Sequence, residues 1–344
     1  MNIYGITRQQ LEEYLLRNGI NKTKARFVFE GIYKQRAESF AEIEAINPKV
    51  RALLERDFTF EKPRAAETRT DADVCKVLFE LSDGNMIETV LMKHDYGNGL
   101  CVSTQVGCNM GCSFCESGRL KKVRDLLPQE IVLQILCAEK ALGEKVSHVV
   151  LMGIGEPFDN YDNVMAFADI ITDCFGLDIG TTHITVSTGG LVPKIREFTR
   201  NGRRINLAIS LHAPNDEIRN RIMPVNKAYP LSELISAAKD YTVCANKKLT
   251  FEYILLGGIN DSLDNARELC ELVKGIKCYV NLIPYNETDN SGFKRSSREQ
   301  ITAFYDVLKK AKISATIRRE FGGNLKAACG QLRADNMKKA AKQK

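Results

Sequence analysis

Three things are missing from this chain, and each absence removes a class. No stretch is apolar for the ~20 residues that a membrane span needs, so no spanning helix is expected. The first residues show no basic start followed by an apolar run, so no export signal is expected and a reducing cytoplasm is the expected compartment. Charge of one sign is not in large excess. The 49 Lys and Arg residues against 43 Asp and Glu leave a net +6, which permits a nucleic-acid partner without requiring one. Low-complexity segments are absent, and so is tryptophan, which excludes nothing. Cysteine is plentiful, at 11 residues. An odd count in a long chain without an export signal argues against a disulfide framework.

A chain of 344 residues, 44% of them hydrophobic, can bury the core of one large unit and a small one. Residues 1–58 read as the small, helical unit. Thr7 with Gln10 forms a capping box, Leu11, Tyr14 and Leu15 follow at helical spacing, and Asn18-Gly19 stops the helix. A second helix is expected over 24–34, and Ser39 with Glu42 marks the start of another. Residues 59–73 read as a linker, polar and charged around Pro63. Runs over 76–81 and 86–92 flank Asp83-Gly84-Asn85 and predict a β-hairpin, so 59–93 is a linker plus hairpin. Glu88 lies in the second run, where a carboxylate ordinarily faces water.

From residue 94 to 333 strand and helix patterns alternate. Strands are expected over 100–105, 147–152, 183–187, 206–210, 249–255, 279–283 and 313–318, with amphipathic helices such as 128–142 and 297–310 between them. Such alternation implies parallel strands with helical crossovers, an α/β barrel or partial barrel. Residues 334–344 form a basic tail.

The most informative stretch is residues 107–118, which sets Cys108, Cys112 and Cys115 at the spacing C-x3-C-x2-C among small residues. Three thiolates can hold three corners of a 4Fe-4S cluster and leave the fourth iron open. A tetrahedral zinc site would need a fourth ligand, and no second Cys or His pair stands at finger spacing. The expected strand ends carry small and polar residues: Gly153-Ile154-Gly155-Glu156, Ser187-Thr188-Gly189-Gly190, Ser210-Leu211-His212 and Pro284-Tyr285-Asn286. Gly153-Ile154-Gly155 lacks the third glycine of a dinucleotide-binding turn. Four such ends on the rim that carries the cysteine loop favour a shared polar pocket of nucleoside size.

The cysteine triplet resembles the signature of the radical S-adenosylmethionine (SAM) superfamily. Together with Cys101, Met152-Gly153-Ile154-Gly155-Glu156-Pro157, the run from Ser210 to Glu217, the run from Asn281 to Asn286, and Ala327-Ala328-Cys329-Gly330-Gln331, it resembles the RlmN/Cfr family of radical SAM RNA methyltransferases. The resemblance is collinear over nearly the whole chain. It implies a partial (β/α)6 TIM-type barrel of the radical SAM type, preceded by a small RNA-binding helical domain and a β-hairpin extension. It implies a 4Fe-4S cluster on Cys108, Cys112 and Cys115, with SAM contacts at Gly155, Glu156, Ser187, Ser210, Leu211, His212 and Asn286. Cys329 would take a methyl group from one SAM, and the cluster would reduce a second to a 5′-deoxyadenosyl radical. Cys101 would resolve the enzyme–RNA adduct by a disulfide with Cys329, and Glu88 would accept the ring proton. The implied partners are 23S rRNA, transfer RNA in the RlmN branch, and a reductant such as flavodoxin or ferredoxin, with the enzyme acting as a monomer. The chain departs from the family pattern at Glu116, over 121–126 and over 324–326. The expected reaction is methylation at adenine carbon 2. A Cfr-like reaction at carbon 8 and an inert metal-containing RNA-binding protein are the alternatives.

Overall fold

A computed structural model describes residues 1–119, 121–287 and 292–318. Cys329, the segment 324–326 and the tail lie outside the described residues.

The first helix, α1 (Arg8–Arg17), starts at the expected capping box: the Gln10 N–H donates to Thr7 Oγ1 at 3.2 Å, and the Thr7 N–H to Gln10 Oε1 at 2.9 Å. The second, α2 (Lys24–Phe29), runs on into a wider turn over Glu30–Lys34, where the Gln35 N–H reaches back to the Glu30 carbonyl. At Ser39 only a single 3-10 turn forms, over Phe40–Glu42. There Ser39 Oγ donates to Glu42 Oε1 instead of accepting from the backbone, so the expected cap is lost. The real third helix, α3 (Pro48–Asp57), starts at Asn47, whose Oδ1 accepts from the Val50 N–H. Phe29, Tyr33, Phe40 and Leu54 are buried in a core continuous with that of the barrel.

The expected linker contains a strand. β1 (Arg64–Asp71) pairs antiparallel with β2 (Val74–Glu80), which pairs with β3 (Met86–His94) and that with β4 (Gly97–Cys101). Its side chains are largely exposed and charged, the usual dress of a sheet edge, and so its composition resembles a loop. The hairpin is thus not an appendage but the antiparallel wing of one ten-stranded sheet.

The strand expected over 100–105 ends early, at Cys101. The Thr104 and Gln105 N–H groups both donate to the Ile154 carbonyl, which turns the chain across the strand ends. A short ribbon of β5 (Gln105–Val106) and β6 (Arg124–Asp125) then ties off the cysteine loop, which holds the one-turn helix α4 (Glu116–Arg119). The remaining elements alternate: α5 (Pro128–Leu142), β7 (His148–Leu151), α6 (Tyr161–Thr172), β8 (Ile184–Thr188), α7 (Val192–Arg200), β9 (Asn206–Ser210), α8 (Asp216–Ile222), α9 (Leu231–Cys244), β10 (Leu249–Leu255), α10 (Leu263–Leu272), β11 (Cys278–Pro284), α11 (Arg298–Lys310) and β12 (Ala315–Ile317). β4 and β7 to β12 lie parallel in chain order, which makes six βα units and a closing strand. No helix among the described residues is long and apolar enough to cross a membrane.

Strand alternation separates the two faces of this sheet. Leu100, Val149, Ile184, Val186, Leu207, Ile209, Phe251 and Tyr253 are fully buried under the helices. The opposite face carries Cys101, Val150, Thr185, Ser187, Ser210, Glu252 and Asn281, mostly half-buried, and forms the barrel lumen.

Candidate active site

The cysteine loop is held at both ends and on its flank. At its base the Val123 N–H donates to the Val106 carbonyl at 2.7 Å. Gln105 Nε2 donates to Asp125 (2.7 Å) and Asp159 (2.9 Å), while its Oε1 accepts from the Glu156 N–H (2.9 Å). On the flank the Ser113 N–H donates to the Ile222 carbonyl at 3.0 Å, and Phe114 meets His212 edge-on at 5.0 Å between ring centres. Gly118 packs so tightly that a Cβ there would lie 2.9 Å from the Cys112 carbonyl oxygen. Lys122 and Arg124, two of the three cations in the run 121–126 where the chain departs from the family pattern, are committed within the protein, while Lys121 is exposed. Lys122 pairs with Asp125 and Asp159, and Arg124 with Asp83 and Glu130.

Cys108 is buried, and Cys112 and Cys115 are half-buried. Burial pushes the Cys108 thiol up to about 12, with the Met110 N–H opposing and Glu156 and Cys115 adding to the rise. Burial likewise raises Cys112, helped by the other two thiols and opposed by Arg219. Cys115 is raised by burial and pulled back by the Gly118 and Ser117 N–H groups. The three therefore act on one another as neighbours. Among the described residues, no three His, Cys, Asp or Glu side chains are gathered at the spacing of a metal site.

The strand ends form a shelf beside this loop. Glu156 is 3% exposed, with Oε1 accepting from the Phe158 N–H (3.0 Å) and Oε2 from the Gly189 N–H (2.7 Å). Burial raises its carboxyl to about 7, against the pull of those two N–H groups. Gly155 has φ +114°, and a Cβ on it would lie 2.6 Å from the Gln105 Cβ, so only glycine lets the chain turn here. Ser187 and Ser210 sit at the ends of β8 and β9, with Leu211 buried next to Ser210. His212, at φ +58°, accepts from the Ile254 N–H through Nδ1 at 3.0 Å. Burial first, then Arg219, lowers its pKa to about 3, so the ring is neutral and its Nε2 carries the hydrogen. Asn286 stands exposed just past the end of β11, next to Tyr285, which lies in the apolar cluster that Cys112 and Phe114 pack against.

Deeper in the lumen, the cross-strand register places Lys76 opposite Val90 and Val90 opposite Cys101. Glu88 lies two residues from Val90 and shares that face. Lys76 and Glu88 are both 3% exposed, with Nζ and Oε2 3.2 Å apart. Burial pushes Cys101 up to about 11, opposed by Arg318, the Met152 N–H and Lys76. Cys101 is a free thiol, as is every cysteine among the described residues. Ser103 Oγ donates to the Glu88 carbonyl at 2.6 Å, and Gln134 of α5 brackets Ser103 with two further bonds.

The structure thus sets the cysteine loop against the shelf residues, with Asn286 at the exposed edge, and puts Cys101 and Glu88 on one face of the sheet. Sequence reasoning missed Lys76, Arg219 and Gln134. Lys76 had a signal, a lysine amid the run Val74-Cys75-Lys76-Val77-Leu78-Phe79. Arg219 had none, since on the surface of a helix the same residue is ordinary.

Comparison with known proteins agrees with this geometry. Residues 102–271 match the Radical SAM superfamily, and residues 1–59 match the ribosomal RNA large subunit methyltransferase N-terminal domain. A probable dual-specificity RNA methyltransferase RlmN of Acholeplasma laidlawii is 49% identical over 338 residues, covering 98% of this chain and 100% of that protein. Its counterpart in Enterococcus faecalis is 50% identical over 347 residues, covering 98% and 97%. The crystal structure of a radical SAM methyltransferase from Sphaerobacter thermophilus superposes with a TM-score of 0.90 at 40% identity, over 96% of this chain and 98% of that one. The cofactors of the superfamily are a 4Fe-4S cluster and SAM. The donor set fits them by its chemistry: three thiols on one short loop that burial keeps protonated unless a cation replaces the protons, beside a shelf that carries the Glu156 carboxylate. With identity near one half along the full length, on this barrel and with this N-terminal unit, the chain belongs to the RlmN family of radical SAM RNA methyltransferases.

Proposed function

We propose that this enzyme methylates carbon 2 of an adenosine in 23S rRNA, and a transfer RNA adenosine beside the anticodon, through an S-methylcysteine at Cys329. The carrying observation is that a thiol and a carboxylate share one lumen face: Cys101 lies opposite Val90, two residues from Glu88. An inert metal-bearing RNA-binding protein needs neither. The relatives' names, which state dual specificity toward RNA, support two substrates.

Cys108, Cys112 and Cys115 would hold the cluster, and Gly155, Glu156, Ser187, Ser210, Leu211, His212 and Asn286 would hold SAM. When bound, these groups supply the electron, the methyl carbon and the hydrogen-abstracting radical. The chain's own residues do the rest. Glu156 presents a carboxylate for the SAM amine. Neutral His212 can donate from Nε2 without bringing a charge to repel the sulfonium. Once the carbon bridges Cys329 and the purine, the Cys101 thiolate attacks the Cys329 sulfur. The S–S bond forms as the S–C bond breaks, and the bonding pair leaves with the carbon, which takes a proton from solvent to become the methyl group; the odd electron left by the addition would be returned to the cluster. Glu88 takes the ring proton. The helical residues 1–58 present the RNA, and a flavodoxin- or ferredoxin-type protein supplies electrons to a monomer in the cytoplasm.

Mass spectrometry of nucleosides from cells with and without the protein tests this. The expected product is 2-methyladenosine in both RNAs. Only 8-methyladenosine, or no change, would overturn the assignment.

A further inference from the structure

A lysine and a glutamate buried together in a β-hairpin call for an explanation. An ion pair withdrawn from water seldom stabilises a fold more than an apolar pair of similar size. The other face of the same hairpin is built from apolar side chains such as Cys75, Val77, Phe79 and Ile87. Yet Lys76 and Glu88, each 3% exposed, sit 3.2 Å apart on the face that carries Cys101.

We infer that Lys76 is a positioning residue for the base: its ammonium holds the Glu88 carboxylate in place on the face that carries Cys101, ready for the ring proton. This rests on the reading of Glu88 as proton acceptor. The proton leaving the adenine carbon adds to a Glu88 oxygen, and the C–H electron pair stays with the ring. The pair passes from ammonium–carboxylate to ammonium–carboxylic acid. Taking a cation from beside a buried carboxylate disfavours its charged form, the form that accepts a proton. Other charged groups bear on this corner. Cys101 faces it from β4, Arg318 follows β12 and acts on both Cys101 and Glu252, and Glu252 on β10 is held by Asn281 Nδ2 at 2.8 Å. Lys76 is a cation paired with Glu88 at 3.2 Å, both of them buried. The same lysine also favours the thiolate of Cys101, so one charge serves both groups.

The test uses the reconstituted holoenzyme and an in vitro transcribed 23S rRNA fragment, with turnover followed between about pH 6 and pH 9. Lys76→Met should raise the acidic limb of the kcat profile by about one to three pH units. At neutral pH kcat should then fall by about tenfold per unit of that rise, with KM for RNA unchanged. The quenched reaction should accumulate a protein–RNA adduct. Lys76→Arg should recover the original limb. Lys76→Gln, which keeps a donor but not the charge, should reproduce the shift if the methionine variant does not fold. A lower kcat with an unmoved limb in either neutral variant, or no change at all, overturns the inference. Glu88→Gln separates the two readings. If it turns over at the normal rate, the assignment of Glu88 as base falls and this inference with it. If it is slow while Lys76→Met keeps the original profile, only the role of Lys76 falls.

Discussion

Replacing Arg219 with methionine should cost more stability than any surface change in this protein. Arg219 is 0% exposed, and its guanidinium donates to four acceptors: Leu211 O (3.0 Å), Gly189 O (2.7 Å), Ser210 O (3.1 Å) and Asn226 Oδ1 (2.8 Å). Among the described residues it has no carboxylate at ion-pair distance; Asp216 reaches it through Asn226. Burial lowers its pKa to about 10, with Cys112 and Asp216 opposing, so it is still charged at neutral pH. Methionine fills much of the same space but leaves three strand-end carbonyls facing an apolar side chain. Each stranded acceptor costs about 1–3 kcal/mol, and relief of the buried charge returns part of the sum. A net loss of about 3–5 kcal/mol follows, the range seen when one partner of a buried charged network is removed. With a urea slope of roughly 3 kcal/mol/M, the midpoint should fall by about 1–1.7 M. Arg219→Lys should fall between, because an ammonium cannot span acceptors set for a planar fork. Urea unfolding of the cluster-free protein, followed by circular dichroism under anaerobic conditions, is the assay. An Arg219→Met midpoint within about 0.3 M of the wild type would refute the reasoning.

Two further outcomes can be checked. Because His212 titrates near 6.5 when unfolded and near 3 when folded, the unfolded chain binds the extra proton below about pH 6.5. Stability should therefore decline as pH falls from 6.5 towards 3, by up to about 1.4 kcal/mol per unit from this group. His212→Asn keeps an acceptor for the Ile254 N–H and tolerates the positive φ, so urea midpoints between about pH 5 and 7 should flatten by one proton. An unchanged slope would mean that His212 is not held neutral. Gly118→Ala drives a methyl group to 2.9 Å from the Cys112 carbonyl oxygen, so iron bound on reconstitution should drop. Gly180→Ala, where nothing lies within 4 Å, is the control that should bind iron normally.

Much of this protein was legible without coordinates wherever the signal is local. The capping box at Thr7 and Gln10 formed because both partners lie within one turn. The helices Pro128–Leu142 and Arg298–Lys310, and the strands Asn206–Ser210 and Leu249–Leu255, follow from apolar periodicity read along the chain. The cysteine spacing and the small residues at strand ends belong to single loops. The errors arose where a partner decides the outcome. Residues 64–71 form a strand because β2 offers an edge, whatever their own polarity. The helix expected after Ser39 failed because Glu42 captured the hydroxyl.

What the sequence determined by itself was the set of elements and the chemistry they carry, since periodicity, turn residues and ligand spacing need only near neighbours. The tertiary structure alone decided which of those residues meet. Glu88 reads as an ordinary strand carboxylate until the hairpin register and the β3–β4 pairing put it beside Lys76 and on one face with Cys101. Arg219 reads as an ordinary helix cation until β8 and β9 end over it and supply three carbonyls. Long-range pairing of buried polar groups depends on which strands lie side by side, and a linear pattern does not record that.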